Sequence, residues 1–103
     1  MSEQSVTIDP RDNIDDVMDN FDFHKVAQMM EAVNWKWWGS PDTPTEGELR
    51  ATARKRLIDA HECALKHCED YSVSSGGFKA TCHVDDEGAA FTLFWGEEYT
   101  NYY

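Results

Sequence analysis

"YSVSSGGFKATCHVDDEGAAFTLFWGEEY", residues 71–99, is the stretch whose pattern decides the fold class. Phe78, Ala80, Cys82 and Val84 alternate with Lys79, Thr81 and His83, the period of a half-buried strand. "DDEG", residues 85–88, supplies a turn, and Phe91, Leu93 and Trp95 then alternate with Thr92 and Phe94. The pattern predicts an antiparallel hairpin with one apolar face. Two strands alone bury too little to be stable, so that face must be covered. "SSGGF", residues 74–78, reads as the turn that enters the hairpin. It lacks the lysine of a phosphate-binding loop and leads into a strand, where such a loop leads into a helix.

The cover lies upstream. In "TPTEGELRATARKRLIDAHECALKHC", residues 43–68, Leu49, Ala53, Leu57, Ala60, Ala64 and Cys68 fall within about 100° of arc at helical spacing. Thr43 as N-cap, Pro44 at the first helical position and Glu46 at the third would make a capping box. The small residues on this face permit close approach of a neighbour, for which the preceding helix is the candidate. That helix is "DFHKVAQMMEAVNWKW", residues 22–37, capped by Asp22, with Phe23, Val26, Met30, Val33 and Trp37 as its buried stripe. It is expected to stop near Gly39, Ser40 and Pro41.

The amino-terminal part offers two readings. Asp9 and Pro10 can open a short helix with Ile14, Val17, Met18 and Phe21 on one face, or "SVTI", residues 5–8, can be an edge strand. The expected architecture is therefore an α+β domain: two main helices packed on a C-terminal antiparallel β-hairpin, with an additional short N-terminal strand or helix. The expected division is an acidic, partly flexible segment over residues 1–20 and a single domain over residues 21–103.

Composition narrows the function classes. At 103 residues with 41% hydrophobic side chains, the chain is large and apolar enough for one core. No apolar run approaches a membrane span, and "MSEQSVTIDPRDNIDD" has neither the basic start nor the apolar stretch of a signal peptide. Three cysteines, an odd number, suit a reducing compartment. These features predict a cytoplasmic protein.

The net charge is −11 and is unevenly spread. Residues 1–22 hold seven acids and one base, residues 68–103 hold the same, and the middle is near neutral. Two acidic ends repel bare nucleic acid and attract basic surfaces, so neither DNA nor RNA binding is expected.

No segment names a reaction. Cys63 and His67 are one helical turn apart, and Cys82 is expected on the interior side of its strand. These three would still be one ligand short of a closed zinc site, and packed thiols are the plainer reading. His61 and Cys68 lie about 10 Å apart along a helix, too far to share an ion. No nucleophile stands in a recognisable triad, so no catalytic residue and no cofactor is assigned. Arg50 and Arg54 form, with Lys55 and Arg56, a basic cluster suited either to a phosphate or to salt bridges with the chain's own acids.

The tryptophans carry the remaining signal. "NWKWW", residues 34–38, places Trp37 on the buried stripe, whereas Trp35 and Trp38 project about 120° and 60° from Phe23. They either fold under the next loop or form an exposed aromatic patch, the residue type enriched at binding hot spots.

Four segments in order, "FDFHKVAQMMEAVNWKWW", "PTEGELRATARKRL", "SSGGFKA" and "FTLFW", resemble a group of small proteins encoded by tailed bacteriophages, over about residues 21–95. The group brings no established activity and hence no catalytic residues. The resemblance implies a phage accessory protein acting in the host cytoplasm, of the kind that binds host machinery, defence systems included. The leading expectation is a non-enzymatic protein that binds and inhibits or redirects a host protein with a basic surface. Trp35, Trp38, Asp15, Asp16, Asp19, Glu97 and Glu98 would carry the contact. A small-nucleotide-binding protein using tryptophan stacking with Arg50 and Arg54 is the alternative, and a DNA mimic a further one. Pairing of two copies is left open.

Overall fold

The computed structural model describes residues 5–32 and 43–96. The chain runs as β1 (Ser5–Arg11), α1 (Ile14–Asn20), α2 (Phe23–Ala32), α3 (Glu46–His67), β2 (Tyr71–Ser75), β3 (Phe78–Asp85) and β4 (Gly88–Gly96). The four strands form one antiparallel sheet in the order β1-β4-β3-β2. The architecture is α+β, with the helices packed on one face of the sheet.

The predicted hairpin is β3–β4. Its turn residues are Asp86 and Glu87, and the Asp85 carboxylate accepts from the N–H groups of Glu87 (2.8 Å) and Gly88 (3.0 Å). Gly88 takes a φ of 140°, a conformation that a side chain disfavours. A second hairpin precedes it. "YSVSS" is a strand in its own right, paired with β3, and Gly76 and Gly77 turn between the two. Both glycines have positive φ, 64° and 94°, as a two-residue turn matched to strand twist requires. "SSGGF" is thus a turn, as read, but its serines belong to β2.

Both readings of the amino terminus hold in part. "SVTI" opens the edge strand β1, which pairs with β4 through Val6↔Trp95 and Ile8↔Leu93. The strand runs through Asp9 and Pro10, so Asp9 is not a helix cap. The helix begins later, where the Asn13 side chain accepts from the Asp16 N–H at 2.8 Å. Val17 and Phe21 are buried in the core, and Ile14 and Met18 pack against that core. Residues 5–20, expected as a segment apart from the domain, supply a strand and a helix to the same core.

Asp22 caps α2, its carboxylate accepting from the Lys25 N–H at 2.9 Å. Phe23, Val26 and Met30 are fully buried. Val33, Trp37 and the expected stop at residues 39–41 lie outside the described residues. Phe21, Phe23 and Phe78 form a ring cluster with centroids 4.8–6.2 Å apart, which ties the helix layer to the sheet.

The cap of α3 departs from expectation by two residues. "TPTEGE" contains two overlapping capping boxes, and the second is used: Thr45 accepts from the Glu48 N–H (3.2 Å) and Glu48 accepts from the Thr45 N–H (2.9 Å). The later start leaves Pro44 outside the helix as a buried residue, with buried Leu49 at the fourth helical position, the two places of a hydrophobic staple. Leu49, Ala53, Leu57, Ala60 and Ala64 are fully buried, as predicted. Cys68 is not: it ends the helix in the left-handed region (φ 56°) and is exposed, because the chain leaves helical geometry there. The alanine face packs chiefly on β3 and β2, with α2 as the lesser neighbour. A sheet spreads under a whole helix face, which accounts for alanines at both its middle and its end.

Candidate functional site

Three groups of polar residues stand out once the elements are in place. The first was legible in part. Arg54 forms an ion pair with Asp15 at 3.1 Å, and the Arg50 guanidinium lies 4.8 Å from the Phe23 ring centre while reaching the Met18 carbonyl at 3.5 Å. Arg56 pairs with Asp59 at 3.2 Å. The basic cluster thus holds α1 and α2 to α3, the salt-bridge reading of that cluster. Asp15 and Asp16 stand in the first turn of α1, where carboxylates suit the positive helix end, and Asp19 is exposed further along. Trp35, Trp38, Glu97 and Glu98 lie outside the described residues.

The second group was not anticipated. On the sheet face away from the helices, the His83 ring joins Asp70 (Nδ1 to Oδ2, 3.2 Å) and Thr92 (Nε2 to Oγ1, 3.0 Å). An ionised Asp70 only accepts, so with a neutral imidazole Nδ1 carries the proton and Nε2 accepts from the Thr92 hydroxyl. The other oxygen of Asp70 accepts from the Val84 N–H at 2.8 Å. That bond and the one to His83 hold the Asp70 carboxyl below its usual range. Hydroxyl, imidazole and carboxylate follow the order of an acyl-transfer triad. β4 is paired on both sides, so its ladder N–H groups are committed to the sheet and an oxyanion site would have to be supplied from elsewhere. The arrangement acts as a clasp that continues the β2–β3 ladder past Tyr71. Sequence reading placed His83 on the outer face but had no means of supplying Asp70 and Thr92 as its partners.

The cysteines stand apart. Cys82 is fully buried among Phe91 and Ala80, and burial first, then the Asp70 charge, pushes its thiol up. His67 stacks on Tyr71, with ring centroids 5.1 Å apart and planes 8° from parallel. Among the described residues no three His, Cys, Asp or Glu side chains gather as metal ligands, so Cys63, His67 and Cys82 do not form the set considered for zinc.

The third group joins the two ends of the charge distribution. β1 delivers Asp12 to the tip of the β3–β4 hairpin, where it lines an open cleft of about 480 Å³ with Asp85, Glu87, Gly88, Ala89 and Ala90. Three acidic residues from distant parts of the chain line one cleft. Asp85 spends one oxygen on its own turn, which holds its carboxylate in place. The charge runs in the sequence announced acidic ends, but only the β1–β4 pairing brings them together. Among the described residues no helix is long and apolar enough to cross a membrane. No family model, curated protein or solved structure matches the chain.

Proposed function

We propose that this chain is a non-enzymatic accessory protein of a tailed bacteriophage that binds a host protein through an acidic surface and inhibits or redirects it. The observation that supports binding is the meeting of Asp12 with Asp85 and Glu87 around one cleft. Like charges brought together raise the energy of the folded state and are relieved by a cationic surface. Such a surface is steered to its site by the summed field, and the association weakens as salt rises. Asp16 and Asp19, exposed on α1, and Trp35, Trp38, Glu97 and Glu98 remain assigned to the contact. The phage origin, the cytoplasmic setting and a defence-system target rest on the resemblance across residues 21–95. The nucleotide alternative is less well supported, because Arg50 and Arg54 already have partners within the chain.

The test is a pull-down from nuclease-treated bacterial lysate with the natural chain and with Asp12→Lys/Glu87→Lys. Both side chains are exposed, so the fold should survive. The expected result is one host protein retained in stoichiometric amount by the natural chain and lost from the charge-reversed one. Retention by both, or by neither, overturns the reading.

A further inference from the structure

The acidic cleft has a neighbour. Asp85 also lines a second open groove, of about 350 Å³, with Ala64, Leu65, Cys68, Val84 and Asp86. Its apolar lining comes from the last turns of α3 and the end of β3, and its rim carries two carboxylates. Leu65 is 61% exposed, and Ile58, seven positions earlier, is 39% exposed. Seven residues are nearly two helical turns, so the two side chains point the same way. One exposed leucine is ordinary on a protein surface. Here it walls a concave groove, lines up with a second aliphatic residue, and shares that groove with Asp85, which also lines the cleft. The exposed Cys68 thiol is turned back to the Leu65 carbonyl at 3.8 Å.

The chemistry of the lining selects the occupant. Carboxylates at the rim repel phosphates and other anions. A second copy of the chain would bring two bodies of net charge −11 together, so self-pairing is opposed by the same field. An aliphatic or aromatic side chain flanked by lysine or arginine satisfies both floor and rim. Resting on the binding reading above, we infer that this groove seats an apolar anchor of a basic partner segment, and that cleft and groove form one docking surface with a charged half and an apolar half.

The experiment uses two synthetic peptides of equal charge titrated onto the full ¹⁵N-labelled chain: an amphipathic lysine–leucine peptide and oligolysine. The expected result is that the leucine-bearing peptide moves the amide signals of Leu65, Cys68, Val84 and Asp86. It should bind about tenfold more tightly than oligolysine, the scale of burying one aliphatic side chain. The uncharged change Leu65→Asn should abolish that advantage and leave oligolysine signals at Asp12 and Glu87 as they were. Equal affinities for the two peptides, or an advantage that survives Leu65→Asn, overturn the groove while leaving the acidic cleft standing. Silence with both peptides overturns cleft and groove together. Signals at Leu65 that move with protein concentration alone would assign the face to a second copy and overturn the inference.

Discussion

On its inner side β4 presents Phe91, Leu93 and Trp95 to the helices, and on its outer side the alternate residues Thr92 and Phe94. The same holds for β3, with Phe78, Ala80 and Cys82 inside and Lys79, Thr81 and His83 outside. The two faces of one sheet are thus held by different forces. The inner face is packed from largely apolar side chains, where loss of a few atoms leaves a void. The outer face is joined by polar ties, Ser72 with Thr81 at 2.8 Å and the Asp70–His83–Thr92 clasp, each of which water can replace in part. The inner face therefore carries stability, and the outer face carries local order at the strand ends.

The largest effect should separate the faces directly. Leu93→Ala should lower the unfolding free energy by about 2–5 kcal/mol in a denaturant titration, because a fully buried side chain is lost and the neighbours close the gap incompletely. Thr81→Ala, one strand away on the other face, should cost about 1 kcal/mol or less. Equal losses would break the comparison.

A middling effect belongs to Gly96. A β-carbon there would stand 2.8–2.9 Å from the Phe94 ring, so Gly96→Ala must push that ring from its place. The expected cost is about 1 kcal/mol, the scale of an off-rotamer aromatic. Phe94→Ala made first should remove most of it. Additive losses would mean that the backbone at Gly96, and not the ring above it, sets the requirement.

The smallest effect is the clasp. Asp70 has a lowered pKa in the folded chain, so its contribution is present above the ordinary carboxylate pKa and fades as pH falls toward the folded value. Asp70→Asn should melt slightly below the natural chain near neutral pH. The gap should shrink as pH drops below about 4, where the unfolded carboxyl begins to take up its proton. A gap independent of pH would show that the amide loses shape and not charge.

How much of this was legible depended on how local each determinant is. The stripe from Leu49 to Ala64 and the alternation from Phe78 to Trp95 are repeated signals, and repetition makes a period readable without knowing the neighbour. The sequence leaves the cap of α3 ambiguous, because Thr43 and Thr45 head two boxes of the same form. The local residues permit both, and the burial of Pro44 and Leu49 goes with the later start. Cys68 falls on the stripe only if the helical period runs past the point where the helix ends. The site was less legible than the fold. Asp70, His83 and Thr92 are single residues, and no spacing rule joins them until β3 sits between its neighbours.

The sequence by itself determined the α+β class, the buried face of α3, the β3–β4 hairpin with its turn, and an acidic charge held at the two ends. These follow from side-chain period, turn chemistry and charge count, which act within a few residues. The tertiary structure alone decided that β1 pairs with β4, and so carries Asp12 to Asp85 and Glu87. It also decided that Leu65 walls a groove beside them. The reason is physical: pairing between distant strands is selected by the burial of one shared core, and the surface clefts are what that selection leaves at its edges.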